Sequence, residues 1–88
     1  AKFHGAAAVG SKVVFAPRNA DEVGVFDVAT NTFSTPASTG SVTMDYKFDL
    51  AAAVGTKVVF APRDANNVGV FDVATNTFST PDITGSLT

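Results

Sequence analysis

The chain has 88 residues, a formal net charge of −2, no cysteine and 45% hydrophobic residues. This length fits one small domain, and without cysteine the chain forms neither a disulfide framework nor a thiolate metal site. It has no basic run, so nucleic acid is excluded as an expected partner. No apolar run approaches the ~20 residues that a membrane-spanning helix needs, so we expect a soluble chain, such as one expressed recombinantly in a cytoplasm.

Four short strands are predicted in the first half of the chain, each bounded by turn residues. They comprise residues 3–9, 12–17, 22–28 and 32–35. Gly10-Ser11 and Ala29-Thr30-Asn31 provide tight turns, and a polar loop at 18–21 joins the two middle strands. Pro17 and Pro36 are expected to end the second and the fourth strand, because proline cannot continue the interior of a sheet.

The second half of the chain repeats the first at a distance of 45 residues. Residues 1–43 and 46–88 agree at 33 of 43 positions, and GVFDVATNTFSTP occurs unchanged at 24–36 and 69–81. Repeats of about 40–50 residues are typical of propellers, kelch arrays and helical HEAT pairs. The prolines and the paired Val and Phe residues disfavour a helical repeat. The pattern therefore predicts an all-β propeller, with four-stranded blades at 1–43 and 46–88 and a link at 44–45.

Side-chain size predicts where each strand lies within a blade. The Ala-rich first strand is too small to fill a wide gap, which suits the axis where blades converge. The second and third strands carry bulky residues on both faces, as expected of strands between neighbouring blades. The fourth strand, with Phe33 or Phe78 between Thr and Ser, suits the outer edge. Such a unit has the wedge shape of a propeller blade.

The hairpin between the third and fourth strands resembles that of kelch-type blades. It reads Asp-Val-Ala-Thr-Asn-Thr at 27–32 and recurs at 72–77. The Asp of such a turn accepts hydrogen bonds from backbone N–H groups, and the Asn tolerates a left-handed φ. We expect structural turn roles for Asp27, Asn31, Asp72 and Asn76. The likeness is partial, because Ala16-Pro17 replaces the usual paired glycines and Phe33 the usual tryptophan, so kelch binding specificity does not carry over.

Two blades cannot close a ring, because propellers need about four to eight. An isolated pair would expose two large Val/Phe faces, and such faces drive association. We therefore expect identical chains to assemble head to tail, through an interface that closes by rotation, with Thr88 of one chain beside Ala1 of the next. A dimer, a trimer and a tetramer would give four, six and eight blades.

The whole chain resembles computationally designed, symmetric, self-assembling propellers of the Cake kind. The resemblance rests on the segments AAAVGxKVVFAP and VGVFDVATNTFST, which both units contain. It implies rings of eight or nine blades, and for a two-blade chain it implies an eight-bladed homotetramer, with a trimer as the alternative. The units nevertheless differ at ten positions, which indicates either deliberate alteration of alternate blades or an intermediate between natural and idealised sequences.

One differing position is a candidate metal site. His4, the only histidine, stands where the second unit has Asp49. In a closed ring the two residue types would alternate around the axis, and both can ligate metals. The alternative is that His4 faces solvent at the mouth of a channel.

The loops after the second strands are a candidate anion site. Arg18 and Arg63 begin these loops, and a ring of arginines on one surface could bind a polyanion or acidic groups. The alternative is local salt bridging, because Asp21-Glu22 follows Arg18 and Asp64 follows Arg63.

No catalytic constellation occurs in the sequence. Asp27 and Asp72 could serve as acids, but their place in a repeated turn favours a structural role, and no Ser-His-Asp order or phosphate loop is present. We expect no enzyme and no cofactor. The predicted function is that of an engineered, self-assembling scaffold. The alternatives are a loop-face binding module, lectin-like or specific for metal or polyanion, and a fragment of a larger natural propeller.

Overall fold

The computed structural model describes residues 1–81; residues 82–88, which hold three of the ten differing positions and the end of the predicted second unit, lie outside the described part. The strands are β1 (Phe3–Val9), β2 (Lys12–Pro17), β3 (Glu22–Asp27), β4 (Thr32–Ser38), β5 (Phe48–Val54), β6 (Lys57–Pro62), β7 (Gly69–Asp72) and β8 (Thr77–Ser79). The all-β prediction is confirmed for residues 1–81, which form no helix and hence none able to cross a membrane.

The strands form two four-stranded antiparallel sheets, each in sequential order. β1 to β4 make sheet 1, and β5 to β8 make sheet 2. The repeat in sequence becomes a repeat in register: Val13 pairs with Phe26 in sheet 1, and Val58 pairs with Phe71 at the equivalent place in sheet 2. Identical side chains therefore occupy identical positions where β2 pairs with β3 and where β6 pairs with β7.

The fourth strand of sheet 1 is longer than the sequence predicts. β4 continues through Pro36 to Ser38, after a register shift in its pairing with β3. The prediction that Pro36 ends this strand is wrong, because β4 lies at a sheet edge, where proline costs no ladder hydrogen bond on its open side. β3 ends at Asp27, one residue early, because Val28 enters the turn and donates its N–H to the Ser11 carbonyl at 2.9 Å.

Alternation along the strands gives each sheet an aromatic face and an aliphatic face. In sheet 1 the aromatic face carries Phe3, Val13, Phe15, Phe26 and Phe33, and the aliphatic face carries Val14, Ala16, Val23 and Val25. The equivalent residues of sheet 2 are Phe48, Val58, Phe60, Phe71 and Phe78 on the aromatic face and Val59, Ala61, Val68 and Val70 on the aliphatic face. Each aromatic face holds a cluster of three rings, with centroids 5.7–6.4 Å apart in sheet 2.

The core lies between the two sheets. The aliphatic face of sheet 1 covers the aromatic face of sheet 2, and the buried core residues are Val14, Ala16, Val23, Val25, Phe48, Val58, Phe60 and Phe71. The two sheets make their most extensive contact at β1 and β5. The small Ala-rich strands therefore face each other where this contact is most extensive.

Candidate functional site

A polar junction lies where the loops after β2 and β6 meet the segment that leads into β5. We define it by Arg18, Tyr46, Lys47, Asp49 and Arg63. Asp49 Oδ1 is 4.0 Å from Arg18 Nε and 3.8 Å from Arg63 Nη1. These are ion-pair distances, too long for hydrogen bonds, and within residues 1–81 neither Arg18 Nε nor Asp49 Oδ1 has a hydrogen-bond partner. One carboxylate thus lies between two guanidinium groups that belong to different sheets.

The Tyr46 ring contacts both guanidinium groups. Its ring centre is 4.6 Å from Arg18 Cζ and 4.7 Å from Arg63 Cζ, and each such cation–π contact contributes about 0.5–1 kcal/mol at an exposed site. Tyr46 has a φ of 55°, a left-handed conformation that costs energy for a bulky residue. Its N–H donates to Asn19 Oδ1 and its carbonyl accepts from the Asp64 N–H, each at 2.9 Å. These contacts offset the strain.

Lys47 joins the two sheets through a fully buried side chain. Its Nζ lies 2.9 Å from Asp21 Oδ1 and donates to the Asn19 carbonyl at 3.3 Å. Its backbone N–H donates to the Arg18 carbonyl, and its own carbonyl accepts from the Arg63 N–H, both at 2.8 Å. A buried ammonium is costly unless it is paired. The buried Lys47 ammonium therefore depends on the Asp21 carboxylate as its charged partner.

The two residues of the predicted metal site have different surroundings. His4 lies exposed on β1, whereas Asp49 is next to two arginines. The positive charge beside Asp49 opposes the binding of a metal ion to its carboxylate. Within residues 1–81, no group of three or more His, Cys, Asp or Glu side chains could hold a metal ion. A metal site made by His4 and Asp49 of several chains stays a prediction about an assembly.

The structure brings the predicted anion-binding residues together on one carboxylate. Arg18 and Arg63 both form ion pairs with Asp49 across the junction, whereas Asp21, which the sequence offers as a partner of Arg18, pairs with Lys47. Two fixed guanidinium groups suit the recognition of an oxyanion. Within one chain, the Asp49 side chain already supplies that anion.

The candidate turn residues act on the hairpins. Asp27 Oδ1 accepts a hydrogen bond from the Ala29 N–H at 2.9 Å, and Asp72 Oδ1 accepts the equivalent bond from the Ala74 N–H at 2.9 Å. Asn31 and Asn76 have φ values of 54° and 56°, the left-handed conformation that asparagine tolerates well. Neither carboxylate belongs to the polar junction, so the geometry assigns these residues to the turns.

Sequence reasoning did not single out Tyr46, Lys47 or Leu50. Tyr46 and Leu50 carried a signal, because they are large residues that replace Ala1 and Gly5 of the first unit. Lys47 carried none, since both units have lysine at this position. Its burial depends on the packing of one sheet on the other, which no local pattern indicates.

Two apolar faces remain uncovered. On sheet 1 the aromatic face is open, and the Phe33 side chain is 53% exposed. On sheet 2 the aliphatic face forms a hollow of about 460 Å³ whose walls include Leu50, Val59 and Ala61. Contiguous apolar surfaces of this kind are typical of interaction sites.

No protein-family model matches this chain, and no curated protein matches it either. Within the described residues, the polar junction and the two uncovered faces are the features that can support a function.

Proposed function

We propose that the chain is a non-enzymatic, self-assembling scaffold whose copies join head to tail into a β-propeller. One observation carries the proposal. Each sheet has an aliphatic and an aromatic face, and one face of each kind is buried between the sheets while one face of each kind is left uncovered. The aliphatic face of sheet 1 covers the aromatic face of sheet 2, while the aliphatic face of sheet 2 and the aromatic face of sheet 1 are open. A second copy can cover each open face with the Val, Ala and Phe contacts already used inside the chain, while Leu50, which stands where sheet 1 has Gly5, requires a different local fit at the inner strands.

Matched residues of the two units support this pairing. Val14 and Phe60 are fully buried, whereas the identical side chains of Val59 and Phe15 are partly exposed. Their burial differs because each sheet is covered by the other sheet on one face only. Full burial of a Val or Phe side chain contributes about 1.5–3 kcal/mol. Several such residues on each face are needed to offset an association cost of roughly 4–15 kcal/mol.

The proposed interface joins two different faces, so each added copy leaves the same two faces open. Such an interface ends only when rotation closes a ring. The sheets make their most extensive contact at β1 and β5, which suits closure around an axis lined by the Ala-rich strands. We propose four copies and eight blades, with three copies and six blades as the alternative. The near-identity of the two units fits an engineered origin.

Native mass spectrometry combined with sedimentation velocity tests the proposal. We expect a species of four times the 9.0 kDa chain mass, and a species of three times that mass would establish the six-bladed alternative. A chain that stays monomeric at all concentrations would contradict the proposal. The variant Val59→Lys should leave single, folded chains, because it places a charge on an open face. The control Thr30→Lys adds the same charge at an exposed turn residue and should assemble normally.

A further inference from the structure

The repeat relates the polar junction inside the chain to an equivalent junction between copies. Within the chain, Arg18 of sheet 1 and Arg63 of sheet 2 flank Asp49. In the proposed assembly, Arg63 of one copy takes the position of Arg18, and Arg18 of the next copy takes the position of Arg63. The residue between them is then His4, which occupies the position of Asp49 in sheet 1.

We infer that each junction between copies binds a small oxyanion, such as inorganic phosphate, between Arg63 of one copy and Arg18 of the next. This inference rests on the proposed head-to-tail assembly. The anion takes the place that the Asp49 carboxylate occupies within the chain. Phosphate then acts as a ligand that promotes assembly.

The charges at the two junctions support this assignment. Within the chain, the side chains of Asp49 and Asp21 offset two of the three positive charges of Arg18, Arg63 and Lys47. Between copies, His4 and Asn66 replace those two carboxylates, while Lys2 and both arginines remain.

A further carboxylate reaches the junction between copies, but at a different place. Asp64 occupies the position of Asn19. The Asn19 side chain accepts a hydrogen bond from the backbone N–H of Tyr46 at 2.9 Å. It therefore points toward the backbone of Tyr46 rather than toward the guanidinium groups. At the junction between copies, two guanidinium groups thus meet with no carboxylate between them.

The geometry also favours a small free anion over a carboxylate that is attached to the backbone, as that of Asp49 is. Asp49 Oδ1 lies 4.0 and 3.8 Å from the nearest guanidinium nitrogens, beyond hydrogen-bond range on both sides. A tetrahedral anion carries oxygens in several directions and can accept hydrogen bonds from both arginines and from a ring N–H of His4. Ala1 stands at the position of Tyr46, so no aromatic ring covers the guanidinium planes there.

The experiment compares assembly in sodium phosphate and in sodium chloride at the same pH and ionic strength. Sedimentation velocity over a range of protein concentrations gives the midpoint of assembly. Because hydrogen bonds to charged groups contribute about 1.5–3 kcal/mol, we expect the wild-type midpoint to be about tenfold lower in phosphate. His4→Asp restores the carboxylate and should assemble at the lower concentration in both salts. Thr30→Asp, with the same added charge on an exposed turn, should keep the salt dependence of the wild type.

Two results separate the failure of this inference from the failure of the proposed function. If the chain assembles with one midpoint in both salts, and phosphorus NMR shows no broadening of the phosphate line by the assembled wild type, the anion site is wrong and the scaffold stands. If neither the wild type nor His4→Asp assembles in either salt, both proposals are wrong. Line broadening by the wild type that His4→Asp abolishes would support the site directly.

Discussion

The aromatic faces of the two sheets carry the same side chains in opposite surroundings. Phe48 has no exposed surface, while its counterpart Phe3 is partly exposed; Phe78 is largely covered, while Phe33 is 53% exposed. Residue type is identical in each pair, so the difference comes from the neighbouring sheet alone. The aromatic face is buried in sheet 2, where the aliphatic face of sheet 1 covers it, and open in sheet 1. An aliphatic face of the same kind could therefore cover the open aromatic face.

The polar junction differs from these faces in how the two units compare. The Val, Ala and Phe residues of the faces are identical in the two units apart from Leu50, which replaces Gly5 beside the aliphatic face of sheet 2. Most differences near the junction change charge or size: Ala1 and Tyr46, His4 and Asp49, Asn19 and Asp64, Asp21 and Asn66. Apart from Leu50, the apolar faces can therefore make the same contacts within and between copies. The junction residues distinguish the contact inside a chain from the proposed contact between chains.

The largest effect is expected from truncating one ring on each aromatic face. In single chains that carry Val59→Lys to block association, Phe60→Ala should lower the free energy of unfolding by about 3–5 kcal/mol. Phe15→Ala should cost less than about half of that, because the Phe15 ring already has solvent on one side. Urea denaturation measures both values. Equal losses would mean that the two faces are not in different surroundings.

A smaller effect is expected from exchanging the carboxylate and the amide that distinguish the two junctions. Asp21→Asn should lower the free energy of unfolding of the single chain by about 1–3 kcal/mol, because the buried Lys47 ammonium loses its anionic partner. Asn66→Asp should leave that free energy nearly unchanged and should strengthen association, because it gives Lys2 of the next copy a partner. Urea denaturation and sedimentation velocity measure the two effects. An unchanged assembly midpoint for Asn66→Asp would contradict the proposed relation between the junctions.

The third comparison is between two glycines, one of which lies where the inner strands meet. Gly5 has a φ of 81°, and a Cβ at this position would lie 2.7 Å from the Asp49 carbonyl oxygen on the other sheet. Gly10 has a φ of 59° with open space around it, so Gly10→Ala should cost only about 1–2 kcal/mol for the left-handed conformation. In the same urea experiment Gly5→Ala should cost more. Equal losses would show that β1 and β5 do not approach each other so closely.

Much of the fold follows from local patterns. β1 and β2 have the predicted bounds, because the Gly10-Ser11 turn separates them and Pro17 ends β2. β4 was predicted too short, since the tolerance of Pro36 depends on its place at a sheet edge. The arginines of the junction were recognisable as candidates, but their common partner Asp49 was not, because the two ion pairs depend on how one sheet packs on the other.

Mixing two blocked chains tests the head-to-tail pairing most directly. Phe15→Lys blocks the open aromatic face of sheet 1 and leaves the open aliphatic face of sheet 2 intact; Val59→Lys does the opposite. Each variant alone should sediment as a single folded chain, and an equimolar mixture should form a one-to-one dimer that grows no further, with circular dichroism unchanged. A mixture that stays monomeric while the wild type assembles, or either variant alone forming dimers, would contradict the pairing of these two faces.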